Sequence, residues 1–328
     1  MRSNTGTESM EGILSATYDN AGADTLRSKK RDLLSVAVYL VICFTLMFVF
    51  GPFIYVAEQG VDYGAYQLVY VLAAFSPCIA CLVTRLLFRE GFKGLLYPRF
   101  TGNFKAYVLA VVLPLAFGIL NCILITVFTG AGFTFKLEGG IFTALGNNMI
   151  MSVYAYYVMI VIIGEELGWR AFLYDKLEKL FGLNGSVVIG GIIWGLWHIP
   201  PIVHMGLNFG KDYPGFPYVG IALMCVMCIG FGAALQLLRK MSDSVIAPII
   251  AHAIIDSVCN TLATMFLSEE IVQDTTDANR FIVGVCCTVS ALIMGIPAWI
   301  VMYKREGRSL GLLKPAREDE GGVRAGMT

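Results

Sequence analysis

Long apolar runs separated by short polar segments constrain this chain more than any other feature. A helix needs about 20 consecutive apolar residues to cross a bilayer. In hydrocarbon every backbone N–H and C=O must be satisfied within the segment, which repeated helices achieve. The chain has 328 residues, 57% of them hydrophobic and 15% charged, with a mean hydropathy of +0.70. Soluble domains carry about a quarter charged residues. The expectation is an all-α, polytopic transmembrane helix bundle of about eight spans.

Basic residues orient those spans. Residues 1–32 are polar and mixed in charge, and end in Arg27, Lys29, Lys30 and Arg31, which reads as a disordered cytoplasmic tail rather than a cleavable signal. Span one runs from Leu33 to about Ala57 and should be interrupted at Gly51-Pro52. An acidic loop, Glu58 to Ala65, should lie outside. Span two, about Tyr66 to Phe88, leads into Arg89, Lys93, Arg99 and Lys105, a cytoplasmic segment by the positive-inside rule. Span three is about Tyr107 to Phe128, and span four runs from near Asn147 inward to about Tyr174. Span five begins near Gly185 and reaches His198. There Pro200 removes a backbone donor and crowds the carbonyl of Leu196, so the helix should kink or stop. Span six is about Tyr218 to Leu238, span seven about Ser244 to Phe266, and span eight Phe281 to Tyr303. The expected organisation is a bundle at 33–303 with both termini cytoplasmic and a disordered tail at 304–328. The simple charge pattern, without a transit peptide, fits a bacterial inner (cytoplasmic) membrane. No internal repeat is visible.

The formal net charge is zero, so the charge balance gives no reason to expect nucleic acid as a partner. The expected partners are the lipid bilayer and a peptide or protein substrate. Nine cysteines fall mostly inside apolar runs, where they read as small buried hydrophobes and not as a disulfide framework. The glycines at 190 and 191 read as a place of close helix packing.

Against this apolar background one stretch stands out: Gly164-Glu165-Glu166-Leu167-Gly168-Trp169-Arg170, directly after the run Met149 to Ile163. Ionisable groups inside a membrane span are costly and mark functional sites. On a continuous helix Glu166 and Arg170 share a face and can pair, whereas Glu165 points about 100° away. One carboxylate is then neutralised and the other is left for chemistry.

Histidine is scarce, with three in the chain: His198, His204 and His252. Glu165 and His252 both lie roughly 12 to 14 Å from the cytoplasmic ends of their helices at 1.5 Å per residue. His198 sits a little deeper, and Asp256 and Asn260 follow His252 at successive turns. Three helices can therefore bring two histidines and two or three carboxylates to one cavity in the cytoplasmic half of the bundle. His204 reads as a surface histidine, and Trp169, Trp194 and Trp197 as cavity wall.

Two chemistries fit such a set. A carboxylate in an apolar site can serve as general base toward water, with a histidine sharing the water and a donor holding the oxyanion. Alternatively His198, His252 and an acidic residue such as Glu165 supply the three protein ligands of a catalytic zinc.

Glu165-Glu166-x-x-x-Arg170, then Trp194-x-x-x-His198, then His252-x-x-x-Asp256 resemble the three motifs of the CPBP (CAAX protease and bacteriocin-processing) family of intramembrane endopeptidases, which includes the type II CAAX prenyl endopeptidases. The resemblance covers about residues 147–262. It implies an endopeptidase acting on a membrane-associated peptide, prenylated or leader-bearing. Glu165 would be the water-activating base assisted by His198, Glu166 and Arg170 a supporting pair, and His252 with position 256 the oxyanion side. The family is commonly labelled metalloprotease, and a metal-free glutamate mechanism is also assigned to it. Position 256 departs from the commoner Asn: an ionised Asp cannot donate to an oxyanion, so Asp256 is protonated, orients His252 or helps bind a metal. Readings from other classes are an ion-coupled transporter, which uses similar buried carboxylates and broken helices, and a non-catalytic immunity or scaffold membrane protein.

Overall fold

The computed structural model describes residues 10–58, 69, 71–92, 104–130, 160–266 and 277–309, with side chains placed over 25–53, 69, 71–92, 104–130, 160–257 and 279–306. Among the described residues the chain is helical, without strands. In order the elements are α1 (Met10–Glu58), α2 (Ser76–Leu87), α3 (Phe104–Thr129), α4 (160–168), a π-turn (Trp169–Leu173), α5 (Tyr174–Trp197), α6 (Ile199–Met205), α7 (Tyr218–Ser242), α8 (Ile246–Phe266) and α9 (Asp277–Ser309). The protein is an all-α polytopic bundle.

Five helical segments among the described residues are long and apolar enough to cross a membrane: Thr25–Phe53, Phe104–Thr129, Ile160–Met205, Tyr218–Ser242 and Asn279–Glu306. Ser76–Leu87 and Ile246–Ser257 are shorter apolar helices. The segment Ile160–Met205 is a hairpin. Gly182 at its turn has φ 72°, the left-handed region that a side chain rarely adopts. Glu165 then meets Trp194, and Gly190 meets the Tyr174 ring, so its two arms are the expected fourth and fifth spans. The start of the fourth span, 147–159, lies outside the described residues, as do the acidic loop at 59–65, residues 66–68 and 70 of the expected second span, and residues 1–9 and 310–328 of the two expected tails.

Three local expectations are modified. Residues 10–32, expected as part of a tail, are helical and continuous with the first span. Extending an existing helix adds one hydrogen bond per residue without a new nucleation cost. Pro52 does not interrupt α1, which runs on to Glu58. Pro200-Pro201 end α5 as expected, yet they also start a new helix. They occupy the first turn of α6, where a missing N–H costs nothing, and His198 becomes the hinge between α5 and α6 with φ −80°, ψ 2°.

Glycines set the helix spacing around the site. A Cβ on Gly191 would lie 2.6 Å from the Ile229 Cα, and one on Gly195 would lie 2.4 Å from the Cys225 Cα, so α5 and α7 touch backbone to backbone. This bears out close packing at Gly190-Gly191. Gly230 and Gly295 bring α7 and α9 together in the same way. Helices in lipid gain association energy from such close packing, since burial of apolar surface drives little there. Gly168 presses α4 onto Pro77 at the start of α2, with a Cβ position 2.3 Å from the Pro77 Cβ.

Candidate active site

Glu165 and Glu166 sit on the last turn of α4, where the helix widens into the π-turn. The Tyr174 N–H donates to the Trp169 carbonyl, five residues back. π-Bulges of this kind concentrate at functional sites. The pairing expected from helical spacing is present: the Arg170 Nη1 donates to Glu166 Oε1 at 2.8 Å, with both side chains fully buried. Arg170 is also held between rings, 4.3 Å from the Trp194 centroid and 5.0 Å from that of Tyr174. Flat guanidinium stacking of this sort suits Arg and not Lys.

The same Glu166 oxygen takes a second partner. His252 Nδ1, arriving on α8, lies 2.8 Å from Glu166 Oε1. Glu166 therefore ties α4 to α8 through one carboxylate oxygen. His252 Nε2 faces Asp256 Oδ2 at 3.7 Å, and the Asp256 side chain is 45% exposed. Of the roles open to Asp256, contact with the tightly held ring nitrogen belongs to Glu166 instead.

Glu165 stands outside that ion cluster. Its Oε2 accepts the Trp194 indole N–H at 3.2 Å and the Trp169 indole N–H at 3.4 Å. Neither donor is charged. Trp169 is thus more than cavity wall, and its position four residues after Glu165 was the available signal. Trp197 in turn donates to the Ser76 hydroxyl at 2.9 Å, fixing α5 to the start of α2.

His198 lies at the α5–α6 hinge with Nδ1 2.9 Å from its own Trp194 carbonyl, and its ring packs edge-on against Trp197 at 4.8 Å. With Nδ1 so engaged, Nε2 is the nitrogen left for chemistry. No hydrogen bond joins His198 to Glu165 among the described residues. The Trp194 ring meets both histidines, 5.3 Å from His252 and 6.2 Å from His198. His204 is half-buried on α6, and its carbonyl accepts from Lys211. The backbone of Asn260 continues α8, while its side chain lies outside the described residues.

The donor set does not fit a three-ligand catalytic zinc. Among the described residues no three His, Cys, Asp or Glu side chains stand close enough to share one ion. Glu165, His198 and His252 surround one aromatic wall without forming a coordination sphere.

The comparisons with known proteins fall on this part of the chain. Residues 146–258 match the family model described as type II CAAX prenyl endopeptidase, Rce1-like. The chain is also similar to CAAX prenyl protease 2 of Methanococcus maripaludis, 25% identical over 206 residues, which is 58% of this chain and 66% of that relative. The chain thus spans just under two thirds of that relative's length. Glu165, Glu166, Arg170, Trp194, His198, His252 and Asp256 all lie inside the matched core. Through that core, residues 146–258, the chain is similar to the type II CAAX prenyl endopeptidases of the CPBP family.

Proposed function

We propose that this protein is an intramembrane endopeptidase of the CAAX prenyl protease type, cleaving a peptide bond in a membrane-associated substrate that is prenylated or carries a leader. The observation that carries this reading is the division of labour between two adjacent carboxylates. Glu166 is spent on Arg170 and His252, whereas the donors to Glu165 among the described residues are the neutral indoles of Trp169 and Trp194.

In the reaction Glu165 takes a proton from water as the oxygen attacks the substrate carbonyl carbon, and His198 Nε2 holds the same water. The carbonyl π electrons move to oxygen. His252, its Nδ1 fixed on Glu166, stands with Asp256 on the oxyanion side. Collapse re-forms the carbonyl and breaks the C–N bond, and Glu165 returns its proton to the leaving amine. Arg170 acts as a positioning residue through Glu166. The site lies in the cytoplasmic half of the membrane, with both termini cytoplasmic. Arg31, Arg85 and Lys176, from three spans expected to meet the cytoplasm, gather at one end of the bundle, which supports that orientation.

The test compares peptide termini in host membranes carrying wild type or Glu165→Gln, which keeps the side-chain size and removes the base. New termini that appear with wild type alone are expected. Identical termini, with the variant folded and present at equal level, would overturn the proposal.

A further inference from the structure

At the basic end of the bundle, apart from the carboxylate site, α1, α2, the π-turn and α5 line a half-open cavity of about 380 Å³. That is within the ~300–1,000 Å³ typical of ligand pockets. Arg31, Arg85, Lys176 and Lys179 line it, together with Asp32, Glu90 and Asp175.

The acids do not balance the bases. Lys176 alone takes both Asp32 and Glu90, at 2.6 Å each. Asp175 faces Arg239 at 3.6 Å. Arg31 donates to the Phe88 carbonyl, and Arg85 donates to the carbonyls of Gly91 at 3.0 Å and Ala171 at 2.8 Å. Carbonyls satisfy N–H groups and leave the charge unmatched. The Arg85 Nε–H is buried and lies beside the Cys81 thiol, with no closer hydrogen-bond partner among the described residues. Arg85, half-buried, and Arg31 and Lys179, both exposed at the rim, therefore present positive charge to one half-open pocket.

We propose that this cavity binds a phosphate group, supplied either by the phosphodiester headgroup of an anionic phospholipid or by free phosphate. Guanidinium groups match phosphate oxygens in geometry and charge. Basic pockets between transmembrane helices, at the level of the headgroups, take anionic lipids for that reason. The site is independent of the protease reading, and loss of cleavage in Glu165→Gln would leave it standing.

Arg85 is unsuitable as the test residue because it also holds Ala171 in the π-turn beside Arg170. The test uses the full chain as wild type, as Arg31→Gln/Lys179→Gln, and as Lys29→Gln/Lys30→Gln. Lys29 and Lys30 are exposed on α1 and do not line the cavity, so this last variant removes the same charge elsewhere. Phosphatidylglycerol is titrated into each protein in phosphatidylcholine micelles, and retained lipid is measured by native mass spectrometry. Thermal unfolding without phosphatidylglycerol checks that all three are folded.

The expected result is one phosphatidylglycerol retained by wild type and by Lys29→Gln/Lys30→Gln. Affinity should fall about thirtyfold in Arg31→Gln/Lys179→Gln, from roughly one tenfold step or less per basic group lost. Inorganic phosphate added as competitor identifies the source. Displacement at low concentration assigns the site to the free anion, and persistence of the lipid assigns it to the headgroup. Equal losses in the two double variants, or equal retention of phosphatidylcholine and phosphatidylglycerol by wild type, would overturn the proposal.

Discussion

Glu166→Ala should be among the most damaging single changes in this protein, and its cost can be worked from the site. Glu166 and Arg170 are both fully buried, 2.8 Å apart, and His252 shares the same carboxylate oxygen. Removing one partner of a buried pair leaves an uncompensated charge and typically costs ~3–5 kcal/mol. At ~1.4 kcal/mol per tenfold, that lowers the folded-to-unfolded ratio by roughly two to three and a half powers of ten. Arg170→Ala should cost a similar amount, with the stacking on Trp194 and Tyr174 lost as well. The double variant should be less damaging than the sum of the singles by ~2–3 kcal/mol, since its second step removes an already orphaned group. Glu166→Gln keeps an acceptor oxygen and loses charge assistance, so an intermediate cost of ~1–2 kcal/mol is expected. The assay is unfolding in detergent micelles, followed by tryptophan fluorescence, for both singles and the double. Single costs below ~1 kcal/mol that simply add would put the pair in the class of exposed ion pairs and refute the argument.

The other predictions address the site and its scaffold. Trp194→Phe keeps a ring beside Arg170 and deletes the 3.2 Å donor to Glu165, so the cleavage rate should fall about ten- to a hundredfold while the thermal midpoint moves little. Equal rates would show that the indole N–H does not act on Glu165. Gly195→Ala places a Cβ 2.4 Å from the Cys225 Cα and should lower stability by ~1–3 kcal/mol or more by forcing α5 from α7. Gly182→Ala meets no atom within 4 Å but must hold φ 72°, so it should cost only ~1–2 kcal/mol in the same unfolding assay. A larger loss at Gly182 than at Gly195 would contradict the assignment of packing to one and backbone freedom to the other.

Much of this architecture is legible in local sequence because local rules govern it. Helix in lipid follows from the apolar runs, whose backbone groups have no other partners. The Glu166–Arg170 bond follows from a four-residue spacing, and the break before Pro200 from a missing donor. The hairpin at Gly182 was visible as the gap between two runs, though its left-handed φ was not. Residues 10–32 and Pro52 stay helical against their local signals because polarity and a single proline weigh less than an already nucleated helix. The partners of Glu165 were half legible: Trp169 lies one turn away, whereas Trp194 is 29 residues distant and reaches it across the hairpin.

The sequence by itself determined the class of fold, the order of the spans, the family motifs and the adjacent carboxylates, all set by composition, periodicity and short spacings. Tertiary structure alone decided how those carboxylates are used. Glu166 meets His252 from 86 positions away, so that Arg170 and His252 share one oxygen and Glu165 is left to uncharged donors. That assignment depends on how closely α4, α5 and α8 approach, which is set by packing among helices far apart in the chain, and no local spacing encodes it.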